Sequence, residues 1–238
     1  MVDESELLQL DQLESTHFWY RDRKIQLSRW LAKNADEGSL VLDLGSATGG
    51  NSLHMMNLGL EVVSVEFSDY GVEAQRNKGI EVIQADARSL PFKSNTFDLV
   101  ICLDVLEHIE EDYLAAKEVQ RILKPSGKFL FSVPEDPKLW SEHDLAVNHV
   151  RRYSKESLTE LVINSELKII NIWSSLILLR PIVEFSRKFS KGSQLKPLNK
   201  CINLILLSIC RLETALVRHK NKGVTLWIDG VKPTRGLH

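Results

Sequence analysis

Val41-Leu-Asp-Leu-Gly45-Ser-Ala-Thr-Gly49-Gly50 joins an apolar run to a helical pattern through a glycine-rich turn. A short apolar run, Leu40 to Leu44, ends on a glycine, and a helical pattern opens at Asn51. Small residues at such a turn let the backbone approach a ligand closely, and the helix start offers free N–H donors. Glycine turns also serve packing alone, so the neighbours must carry the reading.

Four more apolar runs follow: Glu61 to Val65, Gly79 to Gln84, Phe97 to Leu103 and Lys128 to Val133. Helical patterns fill the gaps at Asn51–Leu58, Tyr70–Lys78 and Glu111–Leu123, the last stopping before Lys124-Pro-Ser-Gly127. Strands separated by helices of this length predict right-handed crossovers and a parallel sheet. Ligands of such sheets sit at the carboxyl ends of the strands. Residues 3–33 read as one or two helices, and Ser154 caps a further helix to Val162. Leu167–Trp173 and Val224–Ile228 read as a sixth and a last strand.

Glu66 ends the second strand, 21 residues after Gly45, where a carboxylate accepts from both ribose hydroxyls of an adenosine. The turn itself also fits a degenerate dinucleotide fingerprint, so NAD or a nucleotide sugar is a rival ligand. Three features separate them. Asp43 stands two residues before the first glycine, where a dinucleotide site keeps an apolar residue. Asp86-Ala87 follows the third strand. The fourth strand runs on into Leu103-Asp104-Val-Leu-Glu107-His108.

With these motifs in this order, the chain resembles the class I S-adenosylmethionine (SAM)-dependent methyltransferases, a group that includes the ubiquinone-pathway O-methyltransferases. The likeness is strong over residues 39–133 and weak elsewhere. It implies an α/β fold: a Rossmann-like, seven-stranded, mostly parallel sheet with helices on both faces. It also implies SAM as cofactor. By position, Asp43 would orient the glycine loop and the SAM amino group. Gly45, Ser46, Ala47 and Gly49 would pass under the methionine moiety. Glu66 would hold the ribose, with Phe67 beside the adenine. Asp86 and the Ala87 N–H would meet the adenine ring, and Leu103 and Asp104 would edge the methionine end. His108 is expected to begin the helix after the fourth strand and to face the cofactor cleft. Ala47 departs from the family's glycine by one methyl group.

An alcohol acceptor needs a base, most often His. The candidates are His149 and His108, with His143 in Trp140-Ser-Glu-His143-Asp-Leu-Ala-Val-Asn-His149-Val-Arg151-Arg152-Tyr153. That loop follows the fifth strand, so His143, Arg151, Arg152 and Tyr153 are substrate candidates, the arginines as an anion clamp. The resemblance implies that the helix carrying the aromatic run His17-Phe-Trp19-Tyr-Arg21 lids the SAM site, with Arg21 meeting the cofactor carboxylate and Trp19 near the acceptor; a helix docking its aromatics on the core is the alternative. The pairing of this run with the later His-Val-Arg-Arg-Tyr loop resembles methyltransferases associated with cell-envelope glycans and lipids. It implies a hydroxyl on a sugar, a lipid-linked compound or another small molecule. No metal ligand set is read. A non-catalytic SAM-binding subunit is the rival from another class.

The formal net charge of −2 conceals a split. Residues 1–179 hold 18 basic and 29 acidic side chains, whereas 180–222 hold 10 basic and 2 acidic. That block interrupts the last strand pair. Leu198, Cys201, Ile202, Ile205, Ile209, Leu212 and Leu216 fall at helical spacing within it, with Leu204 and Leu207 widening the face. Arg187, Lys188, Lys191, Lys196 and Lys200 lead in, and Arg218, Lys220 and Lys222 follow. An apolar helix flanked by cations suits an anionic membrane surface; a helix packed on the sheet or pairing in a dimer is the alternative. The acidic remainder argues against nucleic acid. The expected units are 1–38 (helical lid), 39–179 (SAM-binding core), 180–222 (basic helical insertion) and 223–238 (last strand and tail).

Hydrophobic residues at 43% and charged residues at 26% exclude disordered, collagen-like and coiled-coil classes. Three unclustered cysteines, Cys102, Cys201 and Cys210, predict neither a disulfide framework nor a zinc site. The start, MVDESELLQLDQLE, lacks the pattern of a signal peptide. The expectation is a cytoplasmic monomer or homodimer, or a peripheral protein at the inner membrane face.

Overall fold

The computed structural model describes residues 4–189, 197–216 and 221–234. Its centre is a seven-stranded sheet in the order β3-β2-β1-β4-β5-β7-β6. The strands are β1 (Leu40–Leu44), β2 (Glu61–Glu66), β3 (Val82–Gln84), β4 (Phe97–Leu103), β5 (Leu123–Pro134), β6 (Lys168–Ser175) and β7 (Thr225–Val231). β1 pairs in parallel with β2 and β4, and β7 alone runs antiparallel, between β5 and β6. This is the mostly parallel Rossmann-like sheet that the strand–helix alternation predicts.

Successive side chains of a strand point to opposite faces, and both faces here are covered. Leu42, Leu44, Val100, Phe129 and Phe131 pack on one face with Val119 of α5 (Asp112–Ile122) and Leu158 of α7 (Lys155–Asn164). Val41, Leu99, Ile101, Leu130 and Trp227 pack on the other with Leu27, Trp30 and Leu31 of α2 (Phe18–Asn34). Buried Asp229 of β7 fixes α2 to the sheet by accepting from Trp30 Nε1 at 2.8 Å.

The remaining helices are α1 (Glu4–Leu13), α3 (Gly50–Met56), α4 (Asp69–Asn77), α6 (Glu142–Ala146), α8 (Arg180–Phe189) and α9 (Lys200–Leu216). Two local expectations change. Lys124-Pro-Ser-Gly127 does not precede the fifth strand but lies inside it, as an irregularity between the Phe97 and Leu99 pairings. His108 closes a short 3-10 turn, Leu106–His108, rather than opening a helix; α5 starts only at Asp112.

The insertion also differs from its sequence pattern. α9 turns Leu207 and Cys210 inward, onto Phe18, Leu176, Leu179 and Val224, together with the polar Asn203 and Glu213. Those two cap other elements: Asn203 Oδ1 accepts from the Phe18 N–H at 2.9 Å, and Glu213 Oε2 from the Leu178 N–H at 2.8 Å. Ile202, Leu204, Ile205 and Leu212, four residues of the apolar face read from the helical spacing, face outward. The side chains of Lys188 and Leu216, and the residues Lys191, Lys196, Arg218 and Lys220, lie outside the described residues. Among the described residues, no helix is long and apolar enough to cross a membrane.

Candidate active site

One cavity of about 750 Å³ opens over the carboxyl ends of β1, β2, β4 and β5. Gly45, Ser46, Ala47, Glu66, Phe67, Asp86, Ala87, Leu103, Asp104 and His108 all line it, as do Trp19, His143, His149 and Arg152. Residues from four strand ends and from α2 and α8 thus meet at one place.

The glycine loop is built from backbone that few residues tolerate. Gly45 has φ +73°, and a Cβ there would collide with the Val105 side chain. Gly49, at φ +86°, caps the start of α3. Ala47 also takes a left-handed φ, +49°, where alanine is strained and glycine is not. The strain is held in place: the Ala47 N–H donates to Glu66 Oε2 at 2.8 Å, and its carbonyl accepts from Gln75 Nε2 at 2.8 Å. Glu66 Oε1 accepts from the Ser68 N–H at 2.8 Å. Each Glu66 oxygen keeps a second lone pair for a ribose hydroxyl.

Asp43 does not line the cavity. It is buried beneath the loop, where Ser52 Oγ donates to it at 2.6 Å and burial pushes its carboxyl up to about 7. Its contact is with the start of α3, so it supports the loop. Asp86 accepts from the Arg88 backbone N–H at 2.9 Å and from the Arg88 guanidinium, which holds its pKa down. Asp104, at φ +54°, pairs with Arg23.

Arg23 was not read from the sequence. Arg21 does not line the cavity, whereas Arg23, two residues further along α2, does. Its guanidinium lies 5.5 Å from the Trp19 ring centre, and burial lowers its pKa to about 10. In the aromatic run, Phe18 is buried against α9, while Trp19 and Tyr20 reach the cavity wall.

The loop after β5 forms the opposite wall. Ser141 and Asp144 make a capping box on α6, with the Ser141 N–H donating to Asp144 Oδ2 at 2.9 Å. The same carboxylate accepts from Arg152 Nε at 2.7 Å and lies 2.9 Å from His149 Nδ1. With those contacts, its pKa is held far down. A neutral His149 donating from Nδ1 keeps a lone pair on Nε2, which is 3.9 Å from Glu107 Oε1. Burial lowers the His149 pKa. His108 packs against it with ring centres 4.8 Å apart, and burial takes the His108 pKa down to about 3.

Glu107 is fully buried, with its Oε2 unpartnered among the described residues, and burial raises its carboxyl to about 8. One ligand atom each from Glu107, His108 and His149 lie within 4.8 Å of one another, a set able to hold a metal ion that sequence spacing did not suggest. The Ser-x-x-Asp spacing at 141–144 is the sequence signal that could have found Asp144.

Two substrate candidates fall away from the wall. The Tyr153 hydroxyl donates to Asp112 Oδ2 at 2.6 Å, inside the core. Arg151 donates to the same carboxylate at 2.8 Å and to the Glu110 carbonyl at 2.6 Å. Both brace the loop. Arg187 of α8 takes their place: it lines the cavity 3.7 Å from Asp144 Oδ2.

The residues fit SAM. Carboxylates at 66, 86 and 104 suit a ribose, an adenine amino group and a cationic methionine end, and all face one cavity.

Comparison with known proteins agrees. Residues 42–131 match the model of the methyltransferase domain family. The uncharacterized methyltransferase YcgJ of Bacillus subtilis is 32% identical over 154 residues, 56% of this chain and 57% of that protein. The demethylmenaquinone methyltransferase of Renibacterium salmoninarum is 36% identical over 112 residues, 44% of this chain and 47% of that protein. The chain spans about half the length of these curated relatives. A Haloferax volcanii protein, solved in complex with the Trm112 methyltransferase activator, superposes with a TM-score of 0.66 at 19% identity, over 98% of this chain and 97% of that one. Residues 42–131 thus match the methyltransferase domain family, and the whole chain shares the fold of that solved protein.

Proposed function

We propose that the protein transfers a methyl group from SAM to a hydroxyl of a small-molecule, sugar or lipid-linked acceptor, with His149 as the general base. The observation that carries this is the His149–Asp144 pair, whose His149 faces the same cavity as Glu66, Asp86 and Asp104. Bound there, SAM supplies a methyl group activated by its sulfonium charge. The chain supplies position and a proton acceptor. Asp144 holds the His149 proton on Nδ1, so Nε2 is left to take the acceptor's proton. The depressed His149 pKa keeps the imidazole neutral, and therefore basic, at neutral pH. The buried carboxyl of Glu107, protonated at that pH, adds no competing negative charge.

The test is incubation with methyl-labelled SAM and a panel of hydroxylated sugars, quinols and lipid extracts. Label should enter an ether-type product. His149→Ala should cut turnover by about 100-fold or more, the usual share of a general base, with SAM affinity kept. Unchanged turnover would remove His149 from this role.

A second reading concerns where the acceptor is met. Leu178, Ile182, Ile202, Leu204, Ile205 and Leu212 are exposed, Ile205 to 61%. The segment 180–222 around them carries 10 basic residues, and its two acids are committed: Glu213 to the Leu178 N–H and Glu184 to Arg180. An anionic bilayer complements both features, whereas a second copy would set like charges together. The protein should float with phosphatidylglycerol vesicles at low salt and not with phosphatidylcholine ones. Ile205→Asp should abolish flotation; no flotation of the parent protein, or a dimer lost through Ile205→Asp, would refute the bilayer.

A further inference from the structure

The buried charges around Asp144 do not balance. Arg152 Nε donates to its Oδ1 at 2.7 Å, and Arg187 stands 3.7 Å from its Oδ2. Two guanidiniums thus share one carboxylate already bonded to His149 and Ser141. The other cations nearby have partners of their own: Arg151 pairs with Asp112, and Arg180 with Asp136 and Glu184.

Arg187 is the residue left over. Its side chain is 8% exposed and lines the cavity. Its Nη1 donates to the Leu139 carbonyl at 3.0 Å. Its Nε is buried, with no hydrogen-bond partner among the described residues. A guanidinium presents paired N–H groups along one edge, a geometry matched to carboxylate and phosphate oxygens. A buried cation that shares its counter-charge with a second guanidinium is under-compensated, and a bound anion would relieve it. His143 lines the same wall, with its pKa lowered to about 4 by burial and then by Arg187.

We propose that this end of the cavity is an anion subsite, in which an acidic group of the acceptor, a carboxylate or a phosphate, binds Arg187 beside Arg152 and His143. The inference rests on the methyl-transfer reading and narrows its acceptor. The acid would be anchored at Arg187 while the hydroxyl meets His149 Nε2, so one wall fixes both ends of the reacting group. It also gives the basic insertion a part in the site: α8 delivers this cation.

The test is calorimetric titration of the protein, loaded with S-adenosylhomocysteine, with 4-hydroxybenzoate, with inorganic phosphate and with neutral 4-hydroxybenzamide. At least one anion should bind saturably, about tenfold or more tighter than the amide. The anion that binds identifies which acid the subsite takes. Arg187→Gln should weaken that binding by about tenfold or more and leave S-adenosylhomocysteine affinity unchanged. Arg187→Lys, which keeps charge but not the fork, should fall between. Neither anion binding the parent protein, or binding unchanged in Arg187→Gln or Arg187→Lys, would overturn the subsite. The same titrations without S-adenosylhomocysteine keep the two readings apart, because failure to bind that cofactor product speaks against methyl transfer and not against the subsite.

Discussion

His149 Nδ1 lies 2.9 Å from Asp144 Oδ1, and that carboxylate also receives Arg152 Nε at 2.7 Å. One buried acid therefore orients the candidate base and neutralises a buried arginine. Asp144→Asn would release the His149 tautomer and leave Arg152 and Arg187 without their shared anion. The expected result is a fall in turnover of about 100-fold. Stability should fall by about 3–5 kcal/mol, as for one partner removed from a buried pair. Activity assays and denaturant unfolding check the two separately.

The pH profile follows from the same pair. A base works only when unprotonated, and burial places the His149 pKa below 6.5. Turnover should therefore stay level from pH 8 down to roughly 6.5 and drop at lower pH. An acidic limb centred above pH 7 would assign the titration to a different group.

Glu107 predicts a stability that changes with pH. Its carboxyl is raised from 4.5 to about 8, so the folded state holds a proton that the unfolded chain releases. Stability from this group is present below about 4.5 and is lost as pH rises toward 8. Glu107→Gln keeps the shape and removes the titration. Its Tm should match the parent protein's at pH 5 and exceed it at pH 8 by about 4 °C or more. Equal Tm values at pH 8 would mean that Glu107 ionises there without cost.

The glycine loop offers a steric test. Gly45 combines φ +73° with the Val105 side chain against its Cα. Gly45→Ala should cost about 1–2 kcal/mol from backbone alone. It should also displace the loop and weaken SAM binding by about tenfold or more, read by titration. Gly38, also at φ +75° but with open space around it, is the control: Gly38→Ala should cost stability and leave SAM affinity alone.

The sheet was legible because its central strands are buried on both faces and read as nearly continuous apolar runs, such as Phe97 to Leu103, which the structure matches end to end. The cavity lining at Gly45, Glu66, Asp86 and Asp104 was legible because these residues sit where strand ends must meet a ligand. The rest depended on contacts that spacing does not encode. Arg21 and Arg23 are two residues apart on one helix, and only the packing of α2 on the sheet selects Arg23. Tyr153 and Arg151 look exposed in a polar loop, yet Asp112 draws both toward the core. On α9, Asn203 and Glu213 face inward because the Phe18 and Leu178 N–H groups need acceptors there, and this turns Ile202, Ile205 and Leu212 outward. Arg187 reaches the site from the cation cluster that leads into the insertion, where the sequence does not distinguish it from its neighbours.

SAM is the cofactor that the carboxylates of this cavity suit. Calorimetric titration with SAM and, separately, with NAD tests that fit most directly. SAM should bind saturably at one site per chain, and Glu66→Gln and Asp86→Asn should each weaken it by about tenfold or more, while NAD gives no saturable heat. Saturable NAD binding with none of SAM, or SAM affinity untouched by both substitutions, would rule SAM out as the ligand of this cavity.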